Sequence, residues 1–252
     1  MKKRPGSELA ITIILLICSV AVYSAHYLIF RDIRGVSFLL VNDLAFLFIY
    51  AWIIILIIER VLTQREKRAV MEKMNMVIGT FYSEAGLGLL KRFATFADNI
   101  PDLAAGLQIT GFWGKKDFQK AGALARGFPY NVRIDGSGLS GLRDLRLHLL
   151  EKRPFFLSLL QNPNLLEHEG FTDLLWAVFH LTDELAYRHE TLEGLPPADL
   201  LHLAADLKRA YSHVTREWIA YMEHLKESYP FLFSLATRMN PFNPNASAVV
   251  EQ

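Results

Sequence analysis

Five histidine and acidic side chains in the last third of the chain have a spacing that could bind a metal ion. His180 and Glu184 are one helical turn apart, and His202, Asp206 and His213 follow at separations of four and seven residues. If the two segments form an antiparallel helical hairpin, the first pair lies level with His202 and Asp206. Imidazole and carboxylate groups are ligands of zinc and iron. These five residues are therefore candidate ligands of a divalent metal.

The same spacing also has a structural explanation. Positions beside a helical core commonly carry His, Asp and Glu, which meet solvent and pair with each other one turn apart. The paired Glu-x-x-His motifs of di-iron bundles do not occur, and neither does His-Glu-x-x-His. The sequence therefore predicts no cofactor beyond this divalent metal, and both explanations stay open.

A glycine-rich segment, G-S-G-L-S-G at residues 136–141, fits the G-x-G-x-x-G pattern of dinucleotide sites. Such a site requires an apolar strand before the glycines and a second strand after the following helix. Here charged residues interrupt the segment before the glycines. The helix after the glycines is followed by another apolar helix and not by a strand. We interpret the segment as a loop before a helix, with Ser140 at the N-cap. Its amides form a candidate anion site at Gly136, Gly138, Ser140 and Gly141.

Two apolar segments near the N-terminus are long enough to cross a membrane. Residues 9–30 carry no formal charge, and residues 36–58 carry one, that of Asp43. About 20 helical residues cross the hydrocarbon core of a bilayer, and helices satisfy their own backbone hydrogen bonds there. The sequence therefore predicts a two-helix transmembrane hairpin with spans of about 9–30 and 36–58.

Asn42 and Asp43 are the polar residues that this hairpin must accommodate. A carboxylate within a membrane span is a functional candidate by default. The alternative is that both side chains reach the outer interface, or that Asp43 pairs with Arg31 or Arg34 of the turn.

The distribution of basic residues predicts the orientation of the hairpin. Lys and Arg cluster before the first span and after the second, which puts both termini in the cytoplasm. The predicted location is the inner (cytoplasmic) membrane, as a multi-pass protein.

A cleaved signal peptide is the rival interpretation of the first apolar segment. The apolar run is long for one, and Tyr23 occupies a position where a small residue is expected.

Residues 60–252 are formally neutral in sum, within a chain of net charge +1. This balance argues against a nucleic-acid partner, because such affinity depends on neutralising phosphates.

We predict a transmembrane hairpin at residues 1–59, a juxtamembrane helix or linker at 60–97, a helical cytoplasmic domain at 98–240 and a flexible tail at 241–252.

Apolar residues at helical spacing predict that the second half is almost entirely helical. Pro154 is expected to end one helix and begin the next. Thr172 is the expected N-cap of a helix that continues to about Glu190. A long helix is expected over residues 198–228. The fold class predicted is all-α, a two-helix transmembrane hairpin followed by a mainly helical cytoplasmic bundle.

Residues 65–93 (REKRAVMEKMNMVIGTFYSEAGLGLLKRF) and the segments FTDLLWAVFHLTDELAYR and REWIAYMEHLKESYPFLFSLATRMNPF carry a family resemblance. They resemble a family of uncharacterised prokaryotic membrane proteins with an N-terminal two-helix hairpin and a helical cytoplasmic domain. The resemblance covers most of the chain outside residues 100–140. It implies the architecture and assigns no activity, so no catalytic residue is carried over.

The sequence favours a membrane-anchored interaction or signalling protein over an enzyme, because no catalytic constellation stands out. Its expected partners are the lipid bilayer and another membrane or cytoplasmic protein, or a second copy of itself, and no nucleic acid. The alternative is a membrane-bound metalloprotein that uses the histidine and carboxylate residues named above. A weaker third hypothesis is an anion or nucleotide binder at the glycine-rich segment.

Overall fold

The computed structural model describes residues 5–135, 138–188 and 192–249, and these residues confirm the all-α class. The α-helices of these ranges are α1 (Pro5–Phe30), α2 (Ile33–Phe81), α3 (Leu87–Ala94), α4 (Ile100–Gly106), α5 (Lys115–Gly127), α6 (Leu139–Leu160), α7 (Glu169–Ala186), α8 (Pro197–Ser228) and α9 (Pro230–Arg238). A π-helical turn (Tyr82–Gly86) joins α2 to α3, and a 3-10 turn (Leu165–Glu167) precedes α7. In the described part the extended backbone is limited to one isolated bridge, between Ala97 and Val132.

The chain divides into two compact units, Met1–Glu66 and Lys67–Gln252. In the first unit, α1 and the start of α2 each contain an 18-residue window long and apolar enough to cross a membrane, with mean hydropathies of 2.2 and 2.4. Large apolar side chains in these windows are exposed, for example Leu28 at 72% and Phe48 at 71%. The two-residue turn is stabilised by Asp32, whose Oδ1 accepts a hydrogen bond from the Arg34 amide at 2.9 Å.

The carboxylate of Asp43 has a partner on the neighbouring helix. The hydroxyl of Tyr23 on α1 donates a hydrogen bond to Asp43 Oδ2. Pairing with Arg31 or Arg34 was one expectation from the sequence, but the structure gives this carboxylate a neutral phenol instead. Asn42 is exposed on α2. A polar contact between α1 and α2 satisfies a group that apolar surroundings would otherwise penalise.

The second unit is a helical bundle arranged around α8. Helices α3, α5, α7 and α9 all pack against α8, and α6 packs against α7. The end of α2 belongs to the same core, since Met74 and Phe81 are fully buried. The Phe81 ring lies 5.5 Å from that of Phe171 on α7 and contacts it edge to face. The division expected at residue 98 is therefore corrected: part of the predicted linker, from Met74 onward, is core of the second unit.

Pro154 does not end a helix. It lies inside α6, which continues from Leu139 to Leu160. The helix continues through the proline because residues on one of its faces are buried. Leu149 and Phe156, on either side of Pro154, are both fully buried. Burial of such side chains contributes about 1.5–3 kcal/mol each, enough to offset the roughly 3 kcal/mol that an interior proline costs.

Helix α7 begins four residues before the position expected from the sequence, where Thr172 was the predicted N-cap. Its N-cap is His168, whose Nδ1 accepts a hydrogen bond from the Phe171 amide at 3.1 Å. Thr172 lies in the first turn instead, where its hydroxyl donates to the Leu165 carbonyl at 2.7 Å. An imidazole nitrogen thus takes the acceptor role that Ser, Thr, Asp or Asn usually fills.

The segment predicted as a flexible tail at 241–252 is anchored near its start. Phe242 is 5% exposed, and its ring lies 5.2 Å from that of Trp218 on α8. Gln108 Nε2 donates to the Phe242 carbonyl at 3.0 Å, and buried Asn240 donates to the Leu107 carbonyl at 2.7 Å. The packed part of the chain therefore extends past residue 240.

Candidate metal site

Helices α7 and α8 form the antiparallel pair that the sequence predicted. The two helices pack along each other in the second unit, and residues 187–196 connect them. His180 on α7 lies beside Asp206 on α8, and Glu184, one turn later on α7, lies beside His202, one turn earlier on α8. This opposite order is the signature of antiparallel packing.

Four of the five candidate ligands meet at this helix pair. One ligand atom from each of His180, Glu184, His202 and Asp206 lies within 4.8 Å of all the others. Asp206 Oδ2 lies 3.3 Å from His202 Nε2 and 3.4 Å from His180 Nε2. Glu184 contributes Oε2 at 3.6 Å from His202 Nε2 and Oε1 at 3.9 Å from His180 Nε2.

These separations match the edges of a small coordination polyhedron. Zinc bonds to histidine nitrogen and carboxylate oxygen at about 2.0–2.2 Å, so neighbouring ligand atoms of a tetrahedral site are about 3.3–3.6 Å apart. Three of the four separations between imidazole nitrogen and carboxylate oxygen, 3.3, 3.4 and 3.6 Å, fall in this range, and the fourth is 3.9 Å. The two Glu184 separations involve different oxygens, and the four ligand atoms lie within 4.8 Å of one another, so the side chains would have to close in around an ion.

Asp206 is the buried member of the cluster. Its side chain is 3% exposed, and its Oδ1 accepts a hydrogen bond from Arg209 Nη1 at 3.1 Å. Its Oδ2 is buried and accepts no hydrogen bond from the described residues. An unsatisfied buried carboxylate oxygen is costly. Its position, facing two imidazole nitrogens, is the one that a cation would occupy most favourably.

Glu184 is held by an arginine that two carboxylates share. Arg188 Nη1 donates to Glu184 Oε2, and Arg188 Nη2 lies 2.6 Å from Asp199 Oδ1. The hydrogen bond from Arg188 lowers the pKa of the Glu184 carboxyl and that of the Asp199 carboxyl. Both therefore stay ionised at neutral pH, and such outer partners orient a ligating carboxylate.

The cluster is closed on one side and open on the other. The side chains of His180 and His202 are 45% and 52% exposed, whereas that of Asp206 is 3% exposed. The two histidines therefore give solvent access to the cluster, and Asp206 closes its inner side.

His213 does not join the cluster. It is seven residues beyond Asp206 on α8, about 10 Å along the helix axis. Burial and the nearby Arg216 lower the pKa of its imidazole. Three further charged residues at the site, Arg188, Asp199 and Arg209, were not predicted from the sequence. Arg188 follows Glu184 at the spacing of an ion pair one turn apart, which is a signal that could have indicated it.

The candidate anion segment has a packing role in the described residues. Gly136 lies outside them. The Gly138 amide donates to Asp135 Oδ1 at 3.0 Å, so a carboxylate already takes a position that an anion would need. A methyl group at Gly141 would lie 3.3 Å from Phe96 Cζ, which indicates that glycine permits close packing of α6 on Phe96. Ser140 lies in the first turn of α6.

The fold and the cluster define a class: all-α proteins with long apolar N-terminal helices and a histidine–carboxylate cluster between two helices of a separate bundle. Comparison with known proteins gives the family. The model "Uncharacterized protein MJ1433, C-terminal helical domain" matches residues 70–238, and "MJ1433, N-terminal helical domain" matches residues 2–62. The chain therefore belongs to the MJ1433 family, which confirms the resemblance to a family of uncharacterised proteins with helical N- and C-terminal domains; the membrane hairpin stays a prediction.

One similar protein is "Uncharacterized protein MJ1433" from Methanocaldococcus jannaschii. It is 40% identical over 244 residues, which cover 97% of this chain and 96% of that protein. No solved structure matches the chain. The alignment therefore spans both units of this chain.

Proposed function

We propose that this protein is a membrane-anchored metal-binding protein, with one divalent transition-metal ion held by His180, Glu184, His202 and Asp206. The observation that carries the proposal is the convergence of four ligand atoms within 4.8 Å around a buried, unsatisfied Asp206 oxygen. Zinc and iron both accept two imidazole and two carboxylate ligands.

A network of ion pairs between protonated histidines and the two carboxylates is the competing explanation. In that case each imidazolium would be expected to donate a short hydrogen bond of about 2.7–2.9 Å to an oxygen. The observed separations from imidazole nitrogen to carboxylate oxygen are 3.3–3.9 Å, longer than such bonds. This spacing favours an ion between the groups over direct contact.

A metal at this position would be held by two imidazole and two carboxylate ligands, which are enough to fill a tetrahedral site. Arg209 and Arg188 would fix the orientation of the two carboxylates. This arrangement suits a metal that links α7 to α8.

The test is metal analysis of the full-length chain. Purified without chelator and equilibrated with Zn²⁺, the wild-type chain is expected to retain about one zinc ion. Asp206→Asn and His202→Ala each change a direct ligand. Their affinity for zinc should therefore fall by at least the roughly 10- to 100-fold that follows loss of a residue that only orients a ligand. His213→Ala is the matched control, since it removes a histidine from the same helix outside the cluster.

Equal zinc retention by the wild type, Asp206→Asn and His213→Ala would contradict the proposal. Circular dichroism of each variant separates loss of ligand atoms from loss of fold. Asp206→Asn is informative in this respect, because the amide preserves the shape of the buried side chain while removing its charge.

The membrane anchor is the second part of the proposal. Helix α1 has 26 residues, about 39 Å at 1.5 Å per residue, and the hydrocarbon core is about 30 Å thick. The exposed apolar windows of α1 and α2 support two spans, since water would disfavour so much exposed apolar surface. We infer a location in the cytoplasmic membrane with both termini in the cytoplasm.

The interaction or signalling role predicted from the sequence stays a prediction and is compatible with a metal site. Its proposed partners are the lipid bilayer and a second protein or a second copy of this chain. The formal neutrality of residues 60–252 continues to argue against nucleic acid as a partner.

A further inference from the structure

A cavity in the second unit lies away from the metal cluster. It is enclosed by the end of α2, the π-helical turn, the C-terminal half of α8 and α9. Its volume is about 590 Å³, within the span of about 300–1,000 Å³ that is common for small-molecule sites. Its lining residues are Asn75, Met76, Gly79, Thr80, Tyr82, Ser83, Glu84, Leu87, Trp218, Tyr221, Met222, His224, Leu225, Tyr229, Leu232, Leu235, Ala236 and Met239.

The cavity wall is mostly apolar and adaptable. Three of the chain's six methionines, Met76, Met222 and Met239, line it together with leucines from α8 and α9. Methionine is unbranched and polarisable, so its side chain adjusts to irregular apolar ligands. The three methionines come from α2, α8 and the residue after α9, so adaptable side chains line the cavity from several segments.

A few neutral polar groups lie in the same wall. Asn75 Nδ2 and His224 Nδ1 are 3.2 Å apart, and burial lowers the pKa of the His224 imidazole, so the ring is neutral at pH 7. The ring of Tyr221 stacks on that of Tyr82 at 5.2 Å. These groups can donate and accept hydrogen bonds without carrying charge.

The charge of the lining decides against an acidic ligand. No lysine or arginine is among the lining residues. The single carboxylate, that of Glu84, is 55% exposed and lies 3.8 Å from Lys152 Nζ. An anionic head group would find no cation in the wall and would meet this carboxylate. A neutral ligand matches the wall better.

We propose that this cavity binds a neutral lipid-like molecule, with an apolar chain and one hydroxyl or carbonyl head group. The chain lies along the methionine and leucine wall, and the head group bonds to Asn75, His224 or Tyr221. Apolar side chains of α9 border the opening, with Leu232 at 42% and Leu235 at 44% exposed. This apolar border suits the apolar chain of such a ligand.

The test is photolabelling of the full-length chain in lipid nanodiscs with a long-chain monoacylglycerol that carries a diazirine. Peptides from residues 75–84 and 221–239 are expected to be labelled. Ala236→Phe, which fills the cavity from α9, is expected to reduce that label about tenfold. Label on residues 9–58 should be unchanged, which controls for probe concentration in the bilayer.

Two further variants keep the test decisive. Thr80 is exposed and lines the cavity, so Thr80→Trp narrows the opening without a change in the buried core. Loss of label in this variant would therefore reflect the narrowed opening. Phe231→Ala is the matched control on α9, because Phe231 is 73% exposed and does not line the cavity. It should retain the label.

Competition identifies the charge class of the ligand. Unlabelled monooleoylglycerol is expected to displace the probe from the cavity peptides, and oleate is expected to compete far less. Equal competition by oleate, or equal labelling of the wild type, Ala236→Phe and Thr80→Trp, would overturn the proposal. Labelling limited to residues 9–58 would overturn it as well. None of these outcomes depends on the metal site.

Discussion

At the scale of single residues, two carboxyl groups on α8 have different surroundings. Asp206, whose side chain is 3% exposed, faces two imidazole nitrogens and one guanidinium. Glu217, whose side chain is 12% exposed, has its Oε2 3.9 Å from His168 Nε2. Each has one buried oxygen that accepts no hydrogen bond from the described residues. The number of facing groups makes Asp206 a ligand candidate and leaves Glu217 a partly buried acid.

Burial raises the pKa of the Glu217 carboxyl, with His168 and Arg216 opposing the shift. Because the folded-state pKa lies above the unfolded one, the folded protein holds this proton more tightly. The resulting stabilisation is fully present below the unfolded pKa. It is lost as the pH rises through the folded pKa.

Glu217→Gln removes this titration, so the variant should gain stability relative to the wild type as the pH rises from about 4 to about 8. Thermal unfolding followed by circular dichroism at several pH values measures the difference. Glu227→Gln, an exposed glutamate of the same helix, is the control. A constant difference between wild type and Glu217→Gln across this range would refute the prediction.

At the scale of elements, the π-helical turn after α2 shows how local geometry shapes the cavity lined by α2, α8 and α9. The Tyr82 hydroxyl donates to the Val214 carbonyl of α8 at 2.8 Å, which holds the turn against the central helix. A methyl group at Gly86 would lie 2.6 Å from the Tyr82 ring, so glycine is required there. Tyr82, Ser83 and Glu84 of this turn line the cavity. π-helical turns are frequent at functional sites.

Helix α6 offers a direct test of the interior proline. Pro154 is exposed, so Pro154→Ala removes no buried contact, and it restores a backbone N–H to the helix. The expected result is a gain of roughly 1–2 kcal/mol in the free energy of unfolding, since the helix gain is partly offset by a more flexible unfolded chain.

Chemical denaturation of the wild type and Pro154→Ala measures this gain. Glu151→Ala, at a nearby exposed position of α6, should change stability by about 0.5 kcal/mol or less. A loss of stability in Pro154→Ala would indicate that the proline kink is needed for packing of α6 on α7.

At the scale of the whole molecule, the proposed hairpin makes a prediction about sidedness. In a Cys18→Ser background, a cysteine at Ile33, the first residue of α2 after the turn, should react with a membrane-impermeant maleimide in intact cells. A cysteine at Ser247 should react only after permeabilisation, because both termini are expected in the cytoplasm. Both positions are exposed.

The reverse labelling pattern would contradict the proposed orientation. Labelling of both positions in intact cells, or recovery of the chain in the soluble fraction, would contradict the hairpin itself. Cys18 is the chain's single cysteine, so its replacement leaves no competing thiol.

Local patterns in the sequence were sufficient for the class of fold and for most of the candidate site. Helical periodicity depends on neighbours three and four residues apart, and it placed His180 with Glu184 and His202 with Asp206 on single helix faces. Antiparallel pairing across a short connection then brought the two faces together. The apolar N-terminal segments are equally local, because their length and composition suffice to identify them.

Other features depended on contacts between distant parts of the chain. The start of α7 depended on His168, whose imidazole is the N-cap although threonine has the better intrinsic capping preference. The continuity of α6 through Pro154 depended on burial of its neighbours. The anchoring of Phe242 required Trp218 to lie nearby. His213 fell outside the cluster because its distance along α8 takes it beyond reach of His180 and Glu184. The burial of Asp206 and the cavity lined by α2, α8 and α9 exist only once the helices pack, since side-chain burial depends on all neighbours together.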